Sequence, residues 1–236
     1  MPRFLLLGSG EFEPWSSEVE ARTLADATGD GSVLIAPTAS ASEGDHVFDR
    51  WAQMGLRHYA GDGVPAEVLP VKTREDAFRD DVVARVGSAS MIYFSGGKPA
   101  KLAGVLRDSP LLSAILRAME RGAVYAGCSA GAMVASRERD AEGRRGTSWL
   151  FGLGLVPHVS FGVHWDRAAR IPGAQWWMTS RVPEDTWFVG IDEQTAIFGD
   201  GTTWTVHGRR TVTLRGVDGS STVRAGERFV TPAMER

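Results

Sequence analysis

Gly127-Cys128-Ser129-Ala130-Gly131 sets a serine between two glycines in the pattern G-x-S-x-G, the spacing of a nucleophile elbow. A serine hydroxyl becomes a nucleophile when an imidazole takes its proton, and a carboxylate usually orients that imidazole. With 28 glycines in 236 residues the pattern alone is cheap. Context gives it meaning, because an elbow serine sits in a strained turn after a buried strand and before a helix. Ala123-Val124-Tyr125-Ala126 precedes it, and residues 130–135 can start a helix. Small residues at 127 and 131 would let the two elements approach closely, and the helix N-terminus would favour a developing oxyanion. Cys128 is the competing nucleophile. Centred there, the turn would be flanked by Ala126 and Ala130 instead of glycines, and Cys128 reads more simply as a small side chain packed beneath the turn.

Five histidines could supply the base. His46 and His58 fall on an expected helix and His207 in an expected hairpin turn, so all three are expected at the surface. His158 and His164 follow the Gly-Leu-Gly-Leu stretch at 152–155, in a segment without regular patterning, where active-site loops tend to lie. Spacing does not choose between them. For the orienting acid, Asp192 and Glu193 close an expected strand, and catalytic groups gather at strand ends in open α/β sheets. Asp140, Glu142 and Asp166 are the alternatives, the first two reading as solvated charges.

The elements that must position these groups follow from periodicity. Residues 4–7, 33–36, 67–71, 91–94 and 123–126 are short apolar runs. They alternate with helical patterns over 14–28, 43–59 and 74–86, and over 98–120 in two pieces reset at Ser109-Pro110. In the first helix Ala21, Leu24 and Ala25 form the expected stripe. Strands that are nearly all apolar, alternating with helices, predict a mostly parallel central sheet with helices on both faces. Residues 137–147 are charged and glycine-rich, expected as a solvated loop. Beyond residue 186 the spacing shortens to strands at 187–191, 195–198, 203–206 and 211–214, with Asp200-Gly201, His207-Gly208 and Asp218-Gly219 at the junctions. These predict an antiparallel hairpin extension at the edge of the parallel sheet.

Composition bounds the function classes. The chain is 43% hydrophobic and 23% charged, with 26 basic against 29 acidic residues, a balance that argues against a nucleic-acid or membrane-surface protein. One cysteine excludes a disulfide framework, and with scattered histidines it gives no zinc signature. The apolar run at 4–7 is too short for a signal peptide core or a membrane span. The expectation is a soluble, cytoplasmic protein whose residues 1–236 form a single domain, with a homodimer left open.

In order along the chain, six segments resemble peptidase family S51, the group of dipeptidase E and cyanophycinase, on the class I glutamine amidotransferase-like, flavodoxin-like three-layer fold. They are Leu7-Gly-Ser-Gly-Glu11, Ile35-Ala-Pro-Thr-Ala39, Tyr93-Phe-Ser-Gly-Gly97, Gly127-Cys-Ser-Ala-Gly-Ala132, Gly152-Leu-Gly-Leu-Val-Pro157 with His164 seven residues on, and Gly190-Ile-Asp-Glu193 with Thr195-Ala196. Each piece is weak; the ordered set is specific. The resemblance implies Ser129 as nucleophile, His164 as general base, and Glu193 as orienting acid as in cyanophycinases. Dipeptidase E takes its acid from the stretch after the serine, which here offers Asp140 and Glu142. The oxyanion hole would use the backbone N–H of Ala130 and that of Gly97.

This chain also departs from the family pattern. Lys98-Pro99 stands where the family often has Asn followed by Gln or Thr, and Gly162-Val163 where cyanophycinases usually carry Asp-Gln. Those departures count against cyanophycin itself. Arg167 and Arg170 follow the histidine and, with Lys98, are the candidate substrate-binding cations; Arg170 could hold a carboxylate bidentately. Trp165, Trp176 and Trp177 cluster around the histidine as candidate pocket walls or packing residues. The implied activity is a serine peptidase acting on small peptides or isopeptides, with an acidic preference and no metal or organic cofactor. A non-catalytic or amidotransferase-like module on the same fold is the rival. The chain lacks the HGGG-type motif of lipases and esterases.

Overall fold

Leu5 and Leu7 face one side of a sheet and Phe4 and Leu6 the other, and all four are at most 1% exposed. A strand buried on both faces must lie inside a sheet that is covered on both sides. The computed structural model describes residues 2–137, 152–216 and 219–233. In it this strand, β1 (Arg3–Leu7), runs parallel with β2 (Val33–Ala36), β3 (Ala66–Val68), β4 (Met91–Phe94) and β5 (Val124–Cys128) in the order β1-β5-β4-β2-β3. α1 (Ser17–Ala25) and α2 (Asp45–Gly61) close one face through Val19 and Tyr59. α3 (Asp80–Arg85), α4 (Pro99–Leu106) and α5 (Pro110–Glu120) close the other through Val82, Leu102 and Leu111. Pro110 takes the first position of α5, and Ser109 Oγ caps it by accepting the Leu112 N–H at 3.1 Å.

Two helices differ from expectation. α1 buries Val19, Glu20 and Thr23 in place of the Ala21–Leu24–Ala25 stripe. The pattern over 74–86 breaks into a 3₁₀ turn, Glu75–Phe78, and α3, because Asp76 draws the N–H groups of Lys72 and Thr73 to its side chain and Arg79 is extended.

After β5 come α6 (Ala130–Met133), β6 (Val159–Gly162), α7 (Trp165–Ala168) and α8 (Ala174–Thr179), then β7 (Trp187–Ile191), β8 (Thr195–Gly199) and β9 (Thr203–Gly208). β10 (Thr211–Gly216), β11 (Gly219–Arg224) and β12 (Arg228–Val230) follow. The antiparallel extension forms in part: β8 pairs with β1, β9 with β8 and β12 with β9. β7 and β10 do not join it. They pair with each other in a second sheet, β11-β10-β7-β6, in which β6 and β7 are parallel. Its Phe161, Val189 and Val212 enter the core on the α4–α5 side of the main sheet, so helices share that face with strands. Turn residues determine which neighbours form hairpins but not which sheet a strand enters. Of the charged stretch expected as a loop, all but Arg137 lies outside the described residues.

Strand register places the chemistry. Leu7 pairs with Cys128 and Phe94 with Gly127, so the segments after β1, β4 and β5 leave the sheet at one carboxyl edge. Leu7 also pairs with Ala196, which brings the segment entering β8 to the same edge. Gly162 pairs with Gly190, so His164 and Asp192 each lie two residues beyond the last β6–β7 pair.

Candidate active site

Ser129 has φ 48° and ψ −107°, a strained backbone for a residue with a side chain, between β5 and α6. The tight turn depends on its flanking glycines. A Cβ on Gly127 would lie 2.4 Å from the Gly131 carbonyl carbon, and one on Gly131 would lie 2.2 Å from the Phe94 oxygen. α6 is one turn long, too short to supply the helix field expected at this point. Cys128 is fully buried beneath the turn, and burial together with the nearby Glu11 carboxylate pushes its thiol pKa well up. A thiol held in that form is a poor nucleophile.

Ser129 Oγ lies 3.1 Å from His164 Nε2, and His164 Nδ1 lies 3.0 Å from Glu193 Oε1. A carboxylate only accepts, so the proton belongs on Nδ1, which leaves Nε2 to accept from the serine hydroxyl. The chemistry open to such a line is proton transfer from hydroxyl to imidazole, with the carboxylate stabilising the imidazolium. His164 itself has φ 50° in the left-handed region, at the junction of β6 and α7. Trp165, 6% exposed, anchors that junction by lying over Gly190, where a Cβ would meet its ring at 2.7 Å.

Among the expected acids, geometry brings Glu193 to the imidazole. Asp192 turns the other way: its Oδ2 accepts from the Thr211 N–H at 3.1 Å and the Thr211 hydroxyl at 2.7 Å. Asp166 Oδ1 accepts the Glu193 backbone N–H at 2.9 Å, while its Oδ2 pairs with the Arg210 guanidinium. Asp140 and Glu142 lie outside the described residues.

The remaining histidines are elsewhere. His158 precedes β6, its Nε2 buried without a hydrogen-bond partner. His46 is exposed. His58 and His207 depart from the surface placement expected of them. The His58 ring packs against α1 with Nε2 2.8 Å from Glu20, and His207 is partly buried at the end of β9, where burial lowers its pKa.

Gly97 has φ +141°, and a Cβ there would lie 2.4 Å from the Ala39 carbonyl carbon, so the position requires glycine. Its neighbour Lys98 is exposed and donates its N–H to Ala39 O at 2.8 Å. Arg170 is exposed; Arg167 turns back, its Nη1 3.4 Å from Glu193 Oε1. Trp176 is 70% exposed and, with buried Trp165, lines a cavity of about 380 Å³ over Phe188 on the second sheet. Three residues here carried no sequence signal of a specific role. Glu11 and Gly190 stood only within family-like segments, and Arg210 in none; their packing and pairing appear only on folding. Among the described residues no cluster of His, Cys, Asp or Glu is placed to hold a metal ion, and no helix is long and apolar enough to cross a membrane.

An α/β sheet that presents a strained elbow serine in line with an imidazole and a carboxylate defines the class of serine-type hydrolases. The chain belongs to peptidase family S51, whose model matches residues 4–207, and within that class it is a serine-type peptidase. The crystal structure of a peptidase from an acI-B1 Actinobacterium is similar with TM-score 0.88 and 32% identity, over 98% of this chain and 97% of that one. A cyanophycinase of Geminocystis herdmanii (strain PCC 6308) is 31% identical over 233 residues, 92% of this chain and 80% of that protein. A cyanophycinase of Synechococcus elongatus is 31% identical over 200 residues, 78% of this chain but 58% of that protein.

Proposed function

We propose that the chain hydrolyses amide bonds of small peptides or isopeptides through Ser129, His164 and Glu193. The observation that carries this reading is the continuous line of contacts, 3.1 Å from Ser129 Oγ to His164 and 3.0 Å from His164 to Glu193. Ser129 Oγ attacks the carbonyl carbon and its proton passes to His164 Nε2. The N–H groups of Ala130 and Gly97 receive the oxyanion. Collapse breaks the C–N bond, His164 returns the proton to the leaving amine, and water admitted to the same imidazole hydrolyses the acyl-enzyme.

The substrate class rests on exposed cations that neighbour the site residues in sequence. Arg170 and Lys98 suit a carboxylate on the substrate, whereas Arg167, directed at Glu193, serves the acid more directly than a ligand. An acidic, aspartyl-type preference follows. The cyanophycinase relatives make cyanophycin a necessary member of the test panel, although Lys98-Pro99 and Gly162-Val163 depart from that pattern. A cytoplasmic setting belongs to the same proposal and rests on the lone, free and buried Cys128.

The deciding experiment incubates wild type and Ser129→Ala with Asp-Xaa and β-aspartyl dipeptides, longer Asp-leading peptides and cyanophycin, and reads products by mass spectrometry. Cleavage by wild type alone supports the serine mechanism and identifies the substrate. Equal cleavage by Ser129→Ala removes the serine from the mechanism. Unchanged relative rates on acidic and neutral peptides in Arg170→Ala would remove the acidic preference from Arg170.

A further inference from the structure

Glu11 is a buried acid, 6% exposed, whose carboxyl group ends between the two segments that meet at Ser129. Its Oε1 accepts the Gly96 N–H at 2.7 Å, and its Oε2 lies 3.0 Å from Cys128 Sγ, the thiol donating to it. Gly96 directly precedes Gly97, and Cys128 directly precedes Ser129. The closeness is physical as well: a Cβ on Gly96 would lie 2.9 Å from Glu11 Oε1 and 3.5 Å from Ser129 Cβ. A buried carboxyl is expensive unless partnered, so these contacts are what such a group at this position must satisfy.

The peptide planes show what the contacts accomplish. Two successive glycines rotate more freely than any other pair, so an unrestrained Gly96-Gly97 turn is free to flip. The Ser95–Gly96 peptide is pinned by Glu11 through the Gly96 N–H. The Gly97–Lys98 peptide is pinned by Ala39 through the Lys98 N–H. Between them lies the one peptide whose N–H belongs to Gly97.

We propose that Glu11 is a positioning residue that holds the Gly96–Gly97 peptide with the Gly97 N–H directed at the carbonyl under attack. The inference rests on the reading of Ser129 as nucleophile and Gly97 as oxyanion donor. Glu11 touches no reacting atom; it acts by denying the turn its alternative orientation. It also ties that turn to the elbow, so donor and nucleophile keep one spacing.

An alkyl fluorophosphonate tests this without knowledge of the substrate. The Ser129 Oγ–P bond forms as P–F breaks, fluoride leaves, the hydroxyl proton passes through His164, and the phosphonyl oxygen occupies the oxyanion position. Glu11→Met preserves size but offers Gly96 no acceptor; its maximal labelling rate is expected to fall about 10–100-fold, with the half-saturating probe concentration within about threefold. Glu11→Gln keeps an amide oxygen for Gly96 and is expected to recover most of the rate. Melting temperature checks folding; should Glu11→Met not fold, Glu11→Asp, one methylene short of Gly96, supplies the contrast. Labelling of Glu11→Met at the wild-type rate, equal loss in the Met and Gln variants, or loss confined to probe affinity overturns the proposal. Wild type that fails to label overturns the Ser129 reading and this inference with it, whereas the other failures leave that reading standing.

Discussion

Asp166 accepts the backbone N–H of Glu193 at 2.9 Å, so a residue two places beyond His164 fixes the chain carrying the carboxylate that faces His164. The His164 segment and the Glu193 segment leave the carboxyl ends of two different strands paired in parallel, β6 and β7, and strand pairing alone would leave their tips free. Asp166 closes that gap, and Arg210, just before β10, holds the second oxygen of Asp166.

Replacing Asp166 should therefore disturb orientation rather than binding. Asp166→Ala removes the acceptor, and kcat is expected to fall about tenfold or more while KM stays within about threefold. Asp166→Asn retains an oxygen for the Glu193 N–H and should lose less. Steady-state kinetics on whichever peptide of the mass-spectrometric panel is cleaved checks this; a loss confined to KM would contradict it.

The two neighbouring acids, Asp192 and Glu193, separate by their partners. Glu193→Gln presents an amide N–H toward His164 Nδ1, which favours the tautomer with its proton on Nε2, and that tautomer cannot take the serine proton. A fall in kcat of about 10³–10⁴-fold is expected, as for removal of a triad carboxylate. Asp192→Asn should leave kcat within about tenfold, because its contacts are to Thr211, on β10, and not to the imidazole. Equal losses in the two variants would reassign the acid.

His58 gives stability a pH dependence. Burial opposes its charge, yet the hydrogen bond and charge of Glu20, with Asp62 one turn on, more than compensate, so its pKa is raised above 6.5. A raised pKa means the folded protein binds this proton more tightly than the unfolded chain. The contribution is full below pH 6.5 and disappears as pH rises through the raised value. In urea denaturation, the stability difference between wild type and His58→Gln should be largest near pH 6 and shrink as pH rises through the raised pKa, by on the order of 1 kcal/mol or less. His207, with its lowered pKa, acts in the opposite sense, but both proteins retain it and it cancels. A difference independent of pH would contradict the assignment.

The parallel core was legible because its strands are buried on both faces, and Leu5, Ile35, Tyr93 and Ala126 therefore sit in unbroken apolar runs. The tight turn at Ser129 was legible through its glycines, whose spacing encodes a steric requirement at 127 and 131. His164 was not legible from the residues alone. A left-handed residue between a four-residue strand and a four-residue helix carries no periodicity, and only family resemblance separated it from His158. The second sheet escaped because its members are chosen by tertiary contact: β11 buries one residue of six, Val223, and reads as polar turn. Glu20 and Glu11 carried no sequence signal of their contacts for a shared reason, being buried acids whose partners, His58 and Gly96, lie far along the chain.

Two glycines should respond to alanine with opposite signs. At Gly131 the added methyl group meets the Phe94 carbonyl oxygen at 2.2 Å, and that carbonyl cannot retreat without disturbing β4 beside the elbow. Gly131→Ala is expected to lose about 1–3 kcal/mol or more, and to lose activity because the serine turn must shift. Gly104, inside α4, has open space where its Cβ would point. Gly104→Ala is expected to gain about 0.5–1 kcal/mol by restricting the unfolded chain and favouring helix, with activity unchanged. Thermal melts read both effects on one instrument. Loss at Gly104 as large as at Gly131 would mean that general intolerance of change at glycine, rather than close packing at the elbow, accounts for the loss at residue 131.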